Sequence, residues 1–309
     1  VTATLTSTAV DAALVTALAD VKATDNISFT ASNAALADNS DVRALIDLSK
    51  ILPKANYDAI SSITSNEVSL VKQALTIIKK NAITAVDTVV TFSGSPISAK
   101  DANDIAKATD GILTATLKDG KVAETLKALG DVKATDALTF TTTDTSVKAA
   151  DLVALSSKLA GGNLVATSVT KITGEAKDVA SIAAAVVIVT GADVTVSGTI
   201  KAADVATIKA AASTGVLTAT VEAGEADQLN SILTAATATD ELALKVTGET
   251  ALATDLNSLI TKTAGTIKLE AKDVRGDFAD VEAVYVTNKT SFTALGNENV
   301  TITGANPTA

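Results

Sequence analysis

The chain has no Cys, no His, no Met and no Trp, and only five Phe and two Tyr among 309 residues. Without Cys there are no disulfides, thiolate metal sites, iron–sulfur clusters or cysteine nucleophiles, and without His the commonest acid–base group and metal ligand is gone. Arg occurs only at Arg43 and Arg275, and the net charge is −10. A phosphate-binding face needs concentrated basic groups and usually forked guanidinium contacts, so nucleic acid is not an expected partner. No apolar run approaches the ~20 residues that span a bilayer. The longest is Ile182–Val189, and membrane insertion and a signal peptide are not expected in this segment. The lack of Met, position 1 included, suits a processed product or a piece of a longer chain.

What is present is Ala, 59 residues, and Thr, 47, together about a third of the chain. With 47% hydrophobic residues and a mean hydropathy of +0.34, the chain can bury a core, built from Ala, Val, Leu and Ile instead of aromatic anchors. Its acidic surface favours solubility.

The chain repeats itself. Gly111–Asp136 (GILTATLKDGKVAETLKALGDVKATD) and Gly215–Asp240 (GVLTATVEAGEADQLNSILTAATATD) share ten identical positions without a gap, and Leu18–Phe29 matches Leu129–Phe140 at eight of twelve. The offsets, 104 and 111, are near four times a unit of about 26 residues. Short alternating runs open near Thr2, Ile27, Thr88, Ile112, Ala137, Leu164, Asp193, Val216, Glu241 and Thr266, with a weaker one around Ala59. In GILTATL, Leu113, Ala115 and Leu117 fall on one side and Thr114 and Thr116 on the other, the period-two pattern of a strand. Between runs the period changes to three and four, as in Leu152, Leu155 and Leu159, in Leu229, Ile232 and Leu233, or in Leu252, Leu256, Leu259 and Ile260. Those are amphipathic helices.

One strand and one helix in 26 residues cannot bury their own apolar faces, so stability must come from stacking coil on coil. The expected fold is a right-handed α/β solenoid with one parallel sheet, helices on the opposite side and a β-richer C-terminal end. Residues 1–282 would form the repeat array, less regular over 51–100. Residues 283–309 would form a short-coil β-rich end or junction, with strand starts near Ala283 and Asn299. A doubly wound α/β domain is the alternative fold, but it needs a Gly-rich turn after an early strand, and Gly120 and Gly161–Gly162 read as isolated turn glycines.

The strand–turn–helix unit resembles leucine-rich-repeat and related α/β solenoids, with LTATL or LALKV in place of the LxxLxLxxN signature and without its Asn ladder; that resemblance implies a shape class alone. The Ala- and Thr-rich, acidic, Cys-free composition is similar to repeat regions of large secreted bacterial surface proteins, such as surface-layer proteins and giant adhesins. It implies an extracellular or cell-surface location, with copies of the chain or other assembly subunits as partners.

The candidate binding face is a file of outward hydroxyls: Thr114 and Thr116, Thr139 and Thr141, Thr195 and Ser197, Thr218 and Thr220, with Ser28 and Thr30 on an earlier strand. Thr is a good strand residue that keeps an exposed sheet soluble. Paired Thr-x-Thr rows also resemble the flat arrays of ice-binding solenoids, although Glu241, Ala243, Lys245, Lys268 and Glu270 interrupt them. Asp25, Asp136 and Asp240 recur just before strands, where an Asp either bonds turn amides or offers carboxylate oxygen to Ca²⁺. Asp273, Asp277, Asp280 and Glu282 form the densest late acidic group. No cofactor is implied, and carboxylates, Lys, Ser, Thr and Tyr form no recognisable catalytic arrangement. The expectation is a non-enzymatic structural element of a surface layer, sheath or filament, with an adhesin-type or ice-binding module as the alternative.

Overall fold

The computed structural model describes residues 2–31, 34–80, 82, 86–182, 187–188, 191–212 and 215–304. Most of the apolar run Ile182–Val189 lies outside the described residues.

Strands and helices alternate along the chain. The first part holds β1 (Thr2–Ser7), α1 (Ala12–Ala17), β2 (Asn26–Ala31), β3 (Ala34–Leu36), α2 (Asn39–Ile51), β4 (Ile60–Ser65), α3 (Val68–Lys80), β5 (Val89–Phe92), α4 (Ala99–Ala106), β6 (Leu113–Thr116), α5 (Val122–Ala128) and β7 (Ala137–Thr141). There follow β8 (Ser146–Lys148), α6 (Ala149–Lys158), β9 (Asn163–Val165), β10 (Lys171–Glu175), α7 (Ala176–Ile182), β11 (Val187–Ile188), β12 (Asp193–Ile200), α8 (Val205–Ala212), β13 (Leu217–Val221) and α9 (Ala226–Ile232). The last part is β14 (Glu241–Val246), β15 (Thr250–Leu252), α10 (Ala253–Ile260), β16 (Ile267–Leu269), β17 (Asp273–Gly276), α11 (Phe278–Glu282), β18 (Phe292–Thr293) and β19 (Asn299–Ile302).

The chain divides into two compact units, residues 1–143 with 154–165, and residues 144–153 with 166–309. In the first, β1 and β2 form a parallel pair, and β3, β4, β5, β6, β7 and β9 follow one another in a parallel sheet. In the second, β8, β10, β12, β13, β14, β16 and β18 make one parallel sheet and β15, β17 and β19 another. The fold is therefore α/β with several all-parallel sheets, compatible with a solenoid-like arrangement, and the expected single sheet is corrected.

The extra strands explain the correction. Strands begin within one residue of every start read from the sequence up to Thr266, but β3, β8, β10, β15 and β17 are additional segments of three to five residues placed just ahead of a helix. Three residues carry too little alternation to show a period of two, and their last apolar side chain merges with the helical pattern behind it. Leu252 illustrates this: it ends β15 and is 48% exposed, while Leu256 and Leu259 of α10 are buried. The strand start expected near Ala283 is also corrected. Ala283–Thr287 is a π-helical turn continuing α11, because Val281 and Val284 are buried at a spacing of three.

Register stacks apolar on apolar. Paired strand positions stand between 21 residues apart, as Thr199 with Thr220, and 27, as Ser62 with Val89. In the first unit Leu36, Ile63, Val90 and Leu113 form one buried row, and in the second Val147, Ile172, Val194 and Leu217 form another. Each such side chain contributes about 1.5–3 kcal/mol when fully buried. Because the partner of each residue lies one coil away, the buried surface is shared between neighbours. Helices pack in the same sequence, α2 on α3, α3 on α4 and α4 on α5, and later α9 on α10 and α10 on α11. The few aromatics do not set the core, although Phe29 and Tyr57 are both buried with ring centroids 5.8 Å apart.

Candidate functional site

The outward hydroxyls do form rows, but not one file. In the first unit Thr64, Thr91 and Thr114 pair in succession until Ala137 ends the row, and Thr116 pairs with Thr139 before Asn163. Thr141 stands opposite Val165. In the second unit Thr173, Thr195 and Thr218 pair in succession up to Glu241, whose Oε2 accepts from Thr218 Oγ1 at 3.0 Å. Thr114, Thr116, Thr139 and Thr141 thus share a different sheet from Thr195, Ser197, Thr218 and Thr220. Ser197 leaves its row: β12 bulges between Thr195 and Thr199, Gly198 adopts φ +79°, and Thr199 takes the place beside Thr220. Thr64, Thr91, Thr173 and Thr199 are members that sequence reading missed, since each belongs to a run whose partner is known only once strands are paired. Ser28 and Thr30 stand on the separate β1–β2 pair, opposite Thr4 and Thr6.

Charges that interrupt the Thr pattern pair with each other. Glu270 binds Lys245 and Lys268, each at 2.7 Å. The Lys245 ammonium, then that of Lys268, holds its carboxyl below the usual range.

The recurrent Asp residues close turns and join coils. Asp25, Asp136 and Asp240 accept from the backbone amide three residues earlier, Lys22, Lys133 and Thr237, at 2.8–2.9 Å. The second oxygens of Asp136 and Asp240 reach one coil back to the first amides of β6 and β13, Leu113 N and Leu217 N, both at 2.9 Å. Asp136 and Asp240 are fully buried, which no solvated turn Asp would be. Asp240 also meets Lys209 Nζ at 2.7 Å. Burial pushes its carboxyl upward, but Lys209 and the amides of Leu217 and Thr237 outweigh burial and hold it below the usual carboxylate range.

Thr takes over this role in other coils. Thr263 Oγ1 lies within 3.0 Å of the Asp240 and Leu242 carbonyls, to which its one proton can be given, and accepts from the amides of Leu242 and Gly265. Thr109 Oγ1 lies within 2.8 Å of the Val86 and Thr88 carbonyls and accepts from Gly111 N. The shared Thr-x-Gly spacing at Thr109–Gly111 and Thr263–Gly265 is the signal that could have revealed these corners. Gly162 belongs to the same system: a Cβ there would overlap the Leu138 carbonyl oxygen of the neighbouring strand. The reading of Gly162 as an isolated turn glycine is corrected to a close approach between coils.

A helix-side ladder was also missed. Asn230 Nδ2 donates to the Asp255 carbonyl and Asn257 Nδ2 to that of Asp280, each at 3.0 Å, one coil onward. In the late acidic group, Asp277 caps α11 through Asp280 N at 2.8 Å, and Asp273 accepts from Thr301 Oγ1 and Arg275. Among the described residues no three acidic side chains are placed to hold a metal ion, and no helix is long and apolar enough to cross a membrane.

The arrangement defines a class, an all-parallel α/β protein in which polar side chains bridge successive strand–helix segments. No protein-family model, curated protein or solved structure matches the chain.

Proposed function

We propose that the chain is a non-enzymatic structural segment of an extracellular bacterial assembly, a surface layer, sheath or filament, and that its partners are further copies of itself or other subunits. In this reading the coils wind as a right-handed solenoid, the sense favoured by strand–helix–parallel-strand crossovers, and serve as a stiff spacer. The supporting observation is the repetition of coil-to-coil ties, apolar rows inside and Asp136, Asp240, Thr109 and Thr263 at the corners. Such ties spread stability over many nearest-neighbour interfaces, which suits a load-bearing element. Electron microscopy of the purified chain tests it. Filaments or lattices forming without added ligand are expected, and a monodisperse monomer across salt, Ca²⁺ and protein concentration would count against assembly.

The paired rows Thr64–Thr91–Thr114 and Thr173–Thr195–Thr218 favour a second reading, a binding module that orders water or a regular ligand on its hydroxyl–methyl surface. Strand neighbours about 4.8 Å apart give such rows a fixed spacing. Thermal hysteresis abolished by Thr116→Lys with Thr220→Lys supports it, and no hysteresis in the unaltered chain removes ice binding.

A further inference from the structure

Lysines stand at or shortly after the C-terminal ends of successive helices in the first unit: Lys79 in the last turn of α3, Lys107 capping α4, Lys127 in the last turn of α5 with Lys133 in the turn that follows it, and Lys158 ending α6. Contacts gather three of them, Lys79, Lys107 and Lys133, around one place. Lys79 and Lys107 line one cleft of about 330 Å³ with Thr109 and Asp110. Lys133 Nζ reaches the Thr109 carbonyl at 2.9 Å and lies 3.8 Å from Asp110. Lys158 Nζ continues the line to the Gly130 carbonyl at 3.0 Å. Among the described residues Asp110 is the only acidic side chain lining the cleft, against two lysines, so the sign of the local charge is reversed in a chain whose net charge is −10.

A lysine near a helix C-terminus offsets the helix dipole, which accounts for one cation per helix. It does not account for cations of successive helices opening on a shared cleft, nor for Lys79 and Lys107 entering no ion pair among the described residues. Cations repeat here once per coil, an interval between the strand separation of about 4.8 Å and the 8–10 Å of packed helices.

We propose that this row binds a linear acidic polysaccharide, whose carboxylates recur every one or two sugars at a comparable interval. Lysines act as point charges along the polysaccharide. Nucleic acid fits less well, because the row has neither an arginine fork nor an aromatic stacking surface.

Fluorescence anisotropy of labelled polygalacturonate with the full chain tests this. Binding that weakens steeply with salt is expected, with at least a tenfold higher Kd for Lys79→Gln/Lys107→Gln and an unchanged Kd for Lys118→Gln/Lys148→Gln, which alters charge off the row. Circular dichroism melts of both variants check that the fold is kept. No binding at low salt, equal loss in the two variants, or equally tight binding of neutral dextran or oligothymidylate would overturn the proposal.

Discussion

Replacing Asp240 by Asn is the sharpest test of how coils are held together. The carboxylate is fully buried and accepts from Lys209 Nζ, Leu217 N, Thr237 N and Thr237 Oγ1 at 2.7–3.0 Å. An amide keeps one accepting oxygen and turns a donating NH₂ toward the groups that had faced the other. Breaking a buried ion pair by removing one partner costs about 3–5 kcal/mol. The Lys209 side chain retains 15% exposure and can partly rehydrate, which favours the lower end. We expect a loss of about 3 kcal/mol, part of it from a buried donor without an acceptor. Asp136→Asn, at the equivalent corner joining Leu113 N and Lys133 N, should cost about 1–2 kcal/mol. Because repeat architectures can open in parts, the readout pairs urea unfolding with hydrogen exchange at the Leu217 and Leu113 amides. Lys209→Met combined with Asp240→Asn should recover much of the loss, since the stranded charge is gone. A change below about 0.5 kcal/mol for Asp240→Asn, well under the buried-pair range, would refute the ion-pair argument, as would equal losses at the two corners. The pH dependence has a defined sign. The folded carboxyl titrates below its ordinary 3.8, so its stabilisation is present above that value and is lost as pH falls through the folded one. The gap between the two proteins should hold constant near pH 7 and close in acid below 3.8.

Three further outcomes follow from the packing. Leu217→Ala should cost about 2–5 kcal/mol by leaving a cavity in a fully buried row, whereas Thr218→Ala on the outer face should cost less than about 1 kcal/mol; equal losses in urea titrations would mean the faces of β13 are reversed. Gly162→Ala should destabilise by about 1–3 kcal/mol, since the added methyl meets a backbone carbonyl that cannot turn away; a neutral thermal melt would show that the coils separate easily. Burial raises the Tyr57 hydroxyl above the ordinary 10.0, and burial together with Glu298 raises that of Tyr285, so absorbance at 295 nm should show no phenolate near pH 10 until the chain unfolds. Tyrosines titrating normally in the folded chain would contradict the packing around both rings.

The sequence by itself determined the period, the strand starts and the inner face of each main strand. Leu113 and Ala115 against Thr114 and Thr116 is a local alternation, and burial follows it residue by residue. Helices were equally legible where apolar spacings of three and four persist, as at Leu152 and Leu155 of α6 or Leu256 and Leu259 of α10. The short second strands, the division of the hydroxyls between sheets and the bulge that displaces Ser197 were decided only by the tertiary structure. So were the roles of Asp136, Asp240, Thr109 and Thr263, whose partners lie a full coil away: the pattern marks where a polar residue recurs, but burial by the neighbouring coil decides whether it serves as a solvated turn or an internal tie. The meeting of Lys79 and Lys107 has the same origin, since each helix end is local while their sharing of one cleft depends on how α3 and α4 stack.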